Sequence, residues 1–449
     1  MFDIMKTILI LLDGLGDRSS EILDYKTPLQ YANTPNLNKL AEKSTTGLIT
    51  PYSEGIPLGT EVAHFLLWGY NINQFPGRGL IEALGENMGI DKNAIYLRAS
   101  LGVVNTNNDK NDTNSNTDYY VKDRRVKNIT INEINNLIKD LPKNIDNYTF
   151  NLKYSYDVHF ILEIKEKNNY ISDKISDSDP FYKDRHVMEV QPIKELCNTN
   201  EEYNKAKQTS IAINKYLIKC HNILNNHKIN IKRKKENKQI GNFILTKWAG
   251  KYNKVPKFKD KWGMKSVVIA NSALFKGLSK FLNMDYINIG DFEKALKKGL
   301  ELNNYDFIHI HTKEPDEAGH TKNPKNKVKV IEEIDKKLNL LLNINLEEYL
   351  VIITTDHCTP SVGTLIHSGE SVPILIYAKN VRIDSVKEFN EISCSNGHLR
   401  IYSKDLMNII LNYTDRALLY GLRPNEGNLK YIPNNNFVKK LNSNNYNID

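Results

Sequence analysis

Short, wholly apolar runs that end at charged or glycine-containing turns dominate the two ends of the chain. Thr7 to Leu12 (TILILL) breaks at Asp13-Gly14. The design returns at Ser266 to Ala270 (SVVIA), Phe307 to Ile310 (FIHI) and Tyr349 to Thr355 (YLVIITT), with Pro373 to Tyr377 (PILIY) as a fifth candidate. An uninterrupted apolar run of this length reads as a strand of a parallel sheet, buried on both faces, with a loop at its C-terminal end. Helical periodicity fills the gaps, notably over Asp291 to Leu302 and Lys325 to Leu342. Alternation of this kind predicts an α/β domain, a parallel sheet with helices on both faces.

The middle of the chain follows another rule. Strand patterns crowd together at Tyr96 to Val104, Tyr119 to Asp123, Thr149 to Lys153, His159 to Ile164 and His186 to Val190, and helices fit near Asn132 to Leu141 and Glu201 to Asn226. This predicts an α+β domain inserted into the first. A chain of 449 residues exceeds what one compact core usually holds. The expected division is 1–89 with 253–449 for the outer domain and 90–252 for the inserted one. The polar tract Asn105 to Asp118 (NTNNDKNDTNSNTD) reads as a loop between two strands. The basic run KRKK, within Ile231 to Lys238, reads as a solvated loop, with nucleic-acid contact or a localisation signal as the sharper alternative.

Composition narrows the class. With 40% hydrophobic and 25% charged residues the chain is an ordinary globular protein. The net charge of +8 is compatible with scattered surface lysine or with an anionic substrate. Cys197, Cys220, Cys358 and Cys394 are far apart and form no CxxC pair, which argues against a zinc knuckle or a disulfide framework and fits a reducing compartment. No stretch reaches the roughly 18–20 apolar residues of a membrane span, and the N-terminus does not read as a signal peptide. A cytoplasmic location is expected.

Metal-friendly residues gather at the predicted strand ends. Asp13 follows the first strand. Asp316 and His320, in DEAGH, follow the FIHI strand at a spacing of four and share a face on a helical turn. Asp356-His357 follow LVIITT directly, and His367 comes ten residues later. Singly, each has an ordinary reading as a turn former, a surface pair or a solvated imidazole. Together they place three aspartates and three histidines at one sheet edge, the donor inventory that a pair of divalent ions requires. Thr60 opens the apparent helix EVAHFLLWG after Gly59. Its hydroxyl reads either as an N-cap or as a nucleophile at a helix N-terminus that favours phosphoryl groups. His64, one turn later, is placed to contact phosphate or to serve structure.

In this order, Asp13 in LLDGLGD, Thr60 in GTEVAH, DEAGH, TTDHCTP and the later His367 resemble the alkaline phosphatase superfamily. Finer segments resemble the archaeal-type cofactor-independent phosphoglycerate mutases: FPGRGLIEALG, KDRR, ISDSDP and WAGKYNKVPKFKDKWGMKSVVIA. The likeness covers nearly the whole chain. It implies an alkaline-phosphatase-like fold and interconversion of 3-phosphoglycerate and 2-phosphoglycerate through a phosphothreonine on Thr60, in glycolysis and gluconeogenesis. It also implies two divalent ions, manganese first with magnesium, zinc or cobalt as alternatives, and no 2,3-bisphosphoglycerate. By the same likeness Asp13, Thr60, Asp356 and His357 hold one ion, and Asp316, His320 and His367 the other. The substrate falls to Arg98, Asp123, Arg124, Arg125 and Lys247 with His64. The implied partner is this small molecule and neither nucleic acid nor membrane, with assembly as a homo-oligomer left open.

The chain departs from the family at Thr60, where serine is usual, at Lys247-Trp248, where an arginine is usual, at Lys127-Asn128, and at Asp157 to His159, where a His-Arg pair is expected. These changes fall on substrate gripping or on the nucleophile, and none on the aspartates and histidines that the likeness gives to the metals. Two alternatives therefore stand beside the mutase: a metal-dependent phosphatase or phosphodiesterase of the same superfamily, and a catalytically retired homologue with a binding role.

Overall fold

The computed structural model describes residues 5–107 and 118–442. Most of the Asn-rich tract expected to form a loop lies outside them. The chain divides into two compact units, residues 1–75 with 255–449, and residues 76–254. The second unit begins earlier than the expected residue 90. The helix Arg78–Gly85 packs on the strand Ile95–Asn107 so closely that a Cβ at Gly79 would stand 2.2 Å from the Tyr96 carbonyl. The helix therefore belongs with that strand.

The first unit is built on an eight-stranded sheet. Its order is Asp285–Asn288, Ser266–Ala270, Phe307–Thr312, Lys6–Leu12, Tyr349–Thr354, Val372–Tyr377, Thr45–Thr50 and Leu399–Tyr402. Lys6–Leu12 lies at the centre, parallel to both neighbours, with Leu12 opposite Thr312 and Leu11 opposite Thr354. That register brings the residues following three separate strands to one edge. Every residue of Phe307–Thr312 and Tyr349–Thr354 is buried, as continuous apolar strands between helical layers require. The core joins Ile8, Ile10, Ile308, Ile310, Val351 and Ile353 to Phe292, Ile331 and Leu338 of the covering helices.

One strand runs the other way. Val372–Tyr377, expected as a further parallel strand, pairs antiparallel with both Tyr349–Thr354 and Thr45–Thr50. The connection from Thr354 to Val372 carries no helix and reverses directly, which a parallel crossover could not do. Thr45–Thr50 itself, with three threonines in six residues, carries little apolar signal.

The second unit holds a six-stranded sheet, all of whose pairs are antiparallel. Its long strand Ile95–Asn107 pairs with His159–Glu166 and with Phe243–Lys251 over residues 95–102, and with Asp118–Asp123 over residues 103–107. The helices Ile131–Lys139 and Asn200–Asn226 are present as expected. A strand at His186 to Val190 is not. Asp184 N donates to Val121 O, Val187 N to Tyr119 O and Met188 N to Ser178 O, so the segment divides its backbone bonds between partners and builds no ladder.

The basic run is also different from its expected loop. It is the helix Lys228–Lys235, and Arg233 within it is 2% exposed. The Arg233 guanidinium donates to the carbonyls of Gln239, Lys127 and Asn128 and to the Glu133 carboxylate. Arg233→Ala is expected to lower stability by about 2–3 kcal/mol, because buried carbonyls lose a charged donor. Urea denaturation reads this directly, and an unchanged midpoint would restore the solvated-loop reading. No helix among the described residues is long and apolar enough to cross a membrane.

Candidate active site

The turn after the central strand starts the site. Asp13 N donates to Thr312 O at 3.0 Å, which holds Asp13 beside the neighbouring strand end. Gly14 follows with φ +64°, and a Cβ there would lie 2.4 Å from Thr359 Oγ1 and 2.9 Å from Asp316 Cα. Only glycine lets the three loops close this tightly. On the far side of the central strand, Thr354 leads into Asp356 and His357, both 1% exposed.

These residues meet around one point. His357 Nε2 stands 3.3 Å from Asp13 Oδ1, 3.2 Å from Asp356 Oδ2 and 3.3 Å from Thr60 Oγ1. The remaining oxygens are already engaged. Asp356 Oδ1 accepts from Gly14 N and His357 N, each at 3.1 Å, and Asp13 Oδ2 lies 3.0 Å from His311 Nε2. The two oxygens facing His357, Asp13 Oδ1 and Asp356 Oδ2, are buried and have no hydrogen-bond partner among the described residues. Burial, and after it the charge of the neighbouring carboxylates, pushes both acids well above the usual carboxylate range. Burial likewise keeps His357 neutral. Orphaned carboxylate oxygens, a neutral imidazole and a hydroxyl around one point form a donor set that fits a divalent cation, whose charge offsets the cost of burying the acids.

A second cluster centres on Asp316. Its Oδ1 lies 3.3 Å from His320 Nε2 and 3.5 Å from His367 Nε2. His367 Nδ1 contacts the Leu58 carbonyl at 2.7 Å, so that nitrogen carries the proton and Nε2 is left to face Asp316. Thr359 Oγ1 donates to Asp316 Oδ1 at 2.7 Å. Burial raises Asp316, but the imidazoles of His320 and His367 beside it outweigh burial and hold the carboxyl below its ordinary range. The His357 ring stacks on His367 with centroids 3.7 Å apart, and the ligand atoms of Asp316, His357 and His367 also lie within 4.8 Å of one another. The two clusters therefore adjoin, the first buried and the second reaching the surface at His320.

Thr60 is the first residue of the helix Thr60–Leu67 and does not cap it. The N-cap is Gly59, and it makes no side-chain cap hydrogen bond. Its hydroxyl is thus left for the cluster. His64 sits one turn on, fully buried, with Nδ1 donating to the Thr60 carbonyl at 2.7 Å. Trp68, Phe275, His309 and His311 enclose its ring. Buried in this layer, His64 supports the turn that carries Thr60, the structural one of its two expected roles.

Residues 5–413 match the family model of the metalloenzyme superfamily. The chain is 63% identical over 438 residues to 2,3-bisphosphoglycerate-independent phosphoglycerate mutase 2 of Methanocaldococcus jannaschii, covering 97% of this chain and all of that one. The chain belongs to the cofactor-independent phosphoglycerate mutase family. A mutase of the same description from Thermoplasma volcanium is 34% identical across 94% of this chain and all of its own. Among solved structures, the cofactor-independent phosphoglycerate mutase of Thermoplasma acidophilum superposes with a TM-score of 0.61 at 29% identity, over 92% of this chain and all of that one. The PH0037 protein of Pyrococcus horikoshii gives 0.73 at 28% identity, over 93% and 100%.

Apart from His64, the positions that the mutase likeness assigns to substrate lie in the second unit. Arg98 and Lys247 are buried and occupy neighbouring strands in register. Arg98 Nη1 donates to Glu82 Oε1 at 2.6 Å, and Arg78 Nε to the same oxygen at 2.7 Å. Arg124 forms a two-pronged pair with Asp179 at 2.8 and 2.7 Å, and Lys247 adds a third bond to Asp179 at 3.1 Å. Burial first, and the nearby arginines after it, bring Lys247 down to about 8 despite Asp179. Arg125 is exposed. Asp123 does not share this arrangement: it pairs with Lys127 and Lys183 and accepts from Gln239.

The sequence reading passed over several residues that the geometry singles out. Trp248 takes φ +57°, unusual for a bulky side chain, and its ring lies 4.1 Å from the Arg78 guanidinium and 4.4 Å from the Lys247 ammonium. Arg78 and Glu82 lie in the quoted segment FPGRGLIEALG, and Asp179 in ISDSDP, so a charge inside each motif was the available signal. His311 and Thr359 left none, because each acts only through a neighbour that folding supplies.

Proposed function

We propose that this chain interconverts 3-phosphoglycerate and 2-phosphoglycerate through a phosphothreonine on Thr60, without 2,3-bisphosphoglycerate and with two divalent ions, manganese before magnesium, zinc or cobalt. The observation that carries the reading is the convergence of Asp13 Oδ1, Asp356 Oδ2 and Thr60 Oγ1 within 3.3 Å of His357 Nε2. Asp13, Asp356, His357 and Thr60 would hold one ion, and Asp316, His320 and His367 the other. When bound, the ions supply Lewis acidity that lowers the hydroxyl pKa and stabilises charge on the transferring phosphoryl group.

In this scheme Thr60 Oγ attacks the phosphorus of 3-phosphoglycerate in line. The bond from phosphorus to the C3 oxygen breaks, and that oxygen takes up the proton that the threonine gave up. Glycerate remains bound and turns, its C2 hydroxyl attacks the phosphothreonine, and Thr60 regains its proton as 2-phosphoglycerate forms. Gly59 and the first turn of the helix orient the hydroxyl and present N–H groups to the phosphoryl oxygens. In the second unit, Arg98, Arg124 and Lys247 offer charged donors suited to carboxylate and phosphate oxygens, with Glu82 and Asp179 fixing their directions. A cytoplasmic setting agrees with the four cysteines, all free.

The deciding experiment incubates the full chain with manganese(II) and 3-phosphoglycerate, without 2,3-bisphosphoglycerate, and follows both isomers by phosphorus NMR. The expected result is approach to one isomer ratio from either side. Release of inorganic phosphate with no second isomer would replace the mutase with a phosphatase.

A further inference from the structure

We propose that His311 is a positioning residue that decides which oxygen of Asp13 meets the first cation. The proposal rests on the two-metal reading above. His311 lies on the strand Phe307–Thr312, opposite Leu11 of the central strand, two residues before Asp13. Its Nε2 stands 3.0 Å from Asp13 Oδ2. In the ionised form that a cation binds, Asp13 has no proton to offer there, so the Nε2–H donates. The other oxygen, Oδ1, is the buried one without a hydrogen-bond partner among the described residues, and it is the one 3.3 Å from His357 Nε2. One carboxylate thus has two differently occupied oxygens, one held from behind by an imidazole and one turned toward the cluster.

The imidazole is itself fixed. Its centroid lies 4.0 Å from the Phe275 ring and 5.3 Å from that of His64, and the residue is 5% exposed. A carboxylate without this donor turns about a broad terminal torsion and presents either oxygen. A donor that removes that freedom orients the ligand before any cation arrives, and loss of such a partner typically weakens metal binding by about 10- to 100-fold.

His309 is the internal control. It lies two residues earlier on the same strand and packs in the same layer against His64, Trp68 and Phe275. It is fully buried, and neither ring nitrogen has a hydrogen-bond partner among the described residues. A role that was only packing would belong to both histidines alike.

The test compares the full-length chain with its His311→Phe, His311→Gln and His309→Phe variants. Each is loaded with manganese(II) and titrated with a chelator of known affinity, and folding is followed by far-UV circular dichroism. The expected result is that His311→Phe binds the tighter-held ion at least about tenfold more weakly. His311→Gln, which keeps an N–H at similar reach, should recover most of the loss, and His309→Phe should bind as the parent does. Parental affinity in His311→Phe, or an equal loss in His309→Phe, would overturn the proposal. Should His311→Phe fail to fold, parental affinity in His311→Gln beside a folded, weakened His309→Phe would overturn it equally. A parent chain that takes up no manganese would refute the metal reading itself, a result distinct from either.

Discussion

Thr60→Ala is expected to reduce isomerisation by at least about 10⁴-fold, the scale on which removing a nucleophile disables a catalytic unit, while the chain keeps its fold. Both halves follow from the geometry. The hydroxyl stands 3.3 Å from His357 Nε2, among the orphaned oxygens of the first cluster, so it has a chemical position. It has no capping task, because Gly59 is the N-cap, and alanine is a better helix former than threonine. The measurement pairs steady-state rates with a urea denaturation curve, and intact-mass analysis after brief exposure to substrate looks for one added phosphoryl group. Parent protein should show that increment and the variant should not. Thr60→Ser should keep it, since the hydroxyl remains and only a methyl is lost. Full turnover in Thr60→Ala would exclude the covalent route.

Lys327→Met is expected to destabilise the protein by about 3–5 kcal/mol, the usual cost of stripping one partner from a buried ion pair. The Lys327 ammonium is wholly buried and donates to the Gly16 carbonyl at 3.0 Å, the Thr359 carbonyl at 2.8 Å and Asp17 Oδ2 at 3.0 Å. Asp17 also accepts from Ser361 N through both oxygens at 3.1 Å. The lysine thus ties the loop after Asp13 to the loop after His357, and methionine would leave the Asp17 charge buried beside a thioether. Adding Asp17→Asn should recover part of the loss by removing that charge, which a double-mutant cycle in urea would measure. A loss below about 1 kcal/mol in the single variant would mean that the ammonium offsets no more than its own desolvation.

The first cluster was legible in the sequence for a definite reason. A buried parallel strand is written as an unbroken apolar run, and ligands of such sheets sit where the run stops. Asp13 and Asp356-His357 stand at two such stops, and DEAGH follows a third closely. His367 was harder, since it sits on a connection between two strands and is held by a backbone carbonyl, that of Leu58. The direction of Val372–Tyr377 was not legible, because an apolar strand looks the same whichever way it runs. The basic helix Lys228–Lys235 was not legible because four successive cations look solvated, whereas the burial of Arg233 depends on the Gln239 carbonyl just beyond the helix and on two carbonyls, of Lys127 and Asn128, from a distant turn.

By itself the sequence determined the α/β alternation, the inserted second unit, and the residue types that chelation and nucleophilic attack require, since each is encoded in local pattern and side-chain chemistry. Only the tertiary structure decided that Thr60 is free of the cap, that His64 lies behind the site, that His311 holds one oxygen of Asp13, and that Lys327 joins two loops more than three hundred residues apart in the chain. The physical reason is common to all four: a hydrogen bond or a buried charge is defined by its partner, and here each partner is set by the fold.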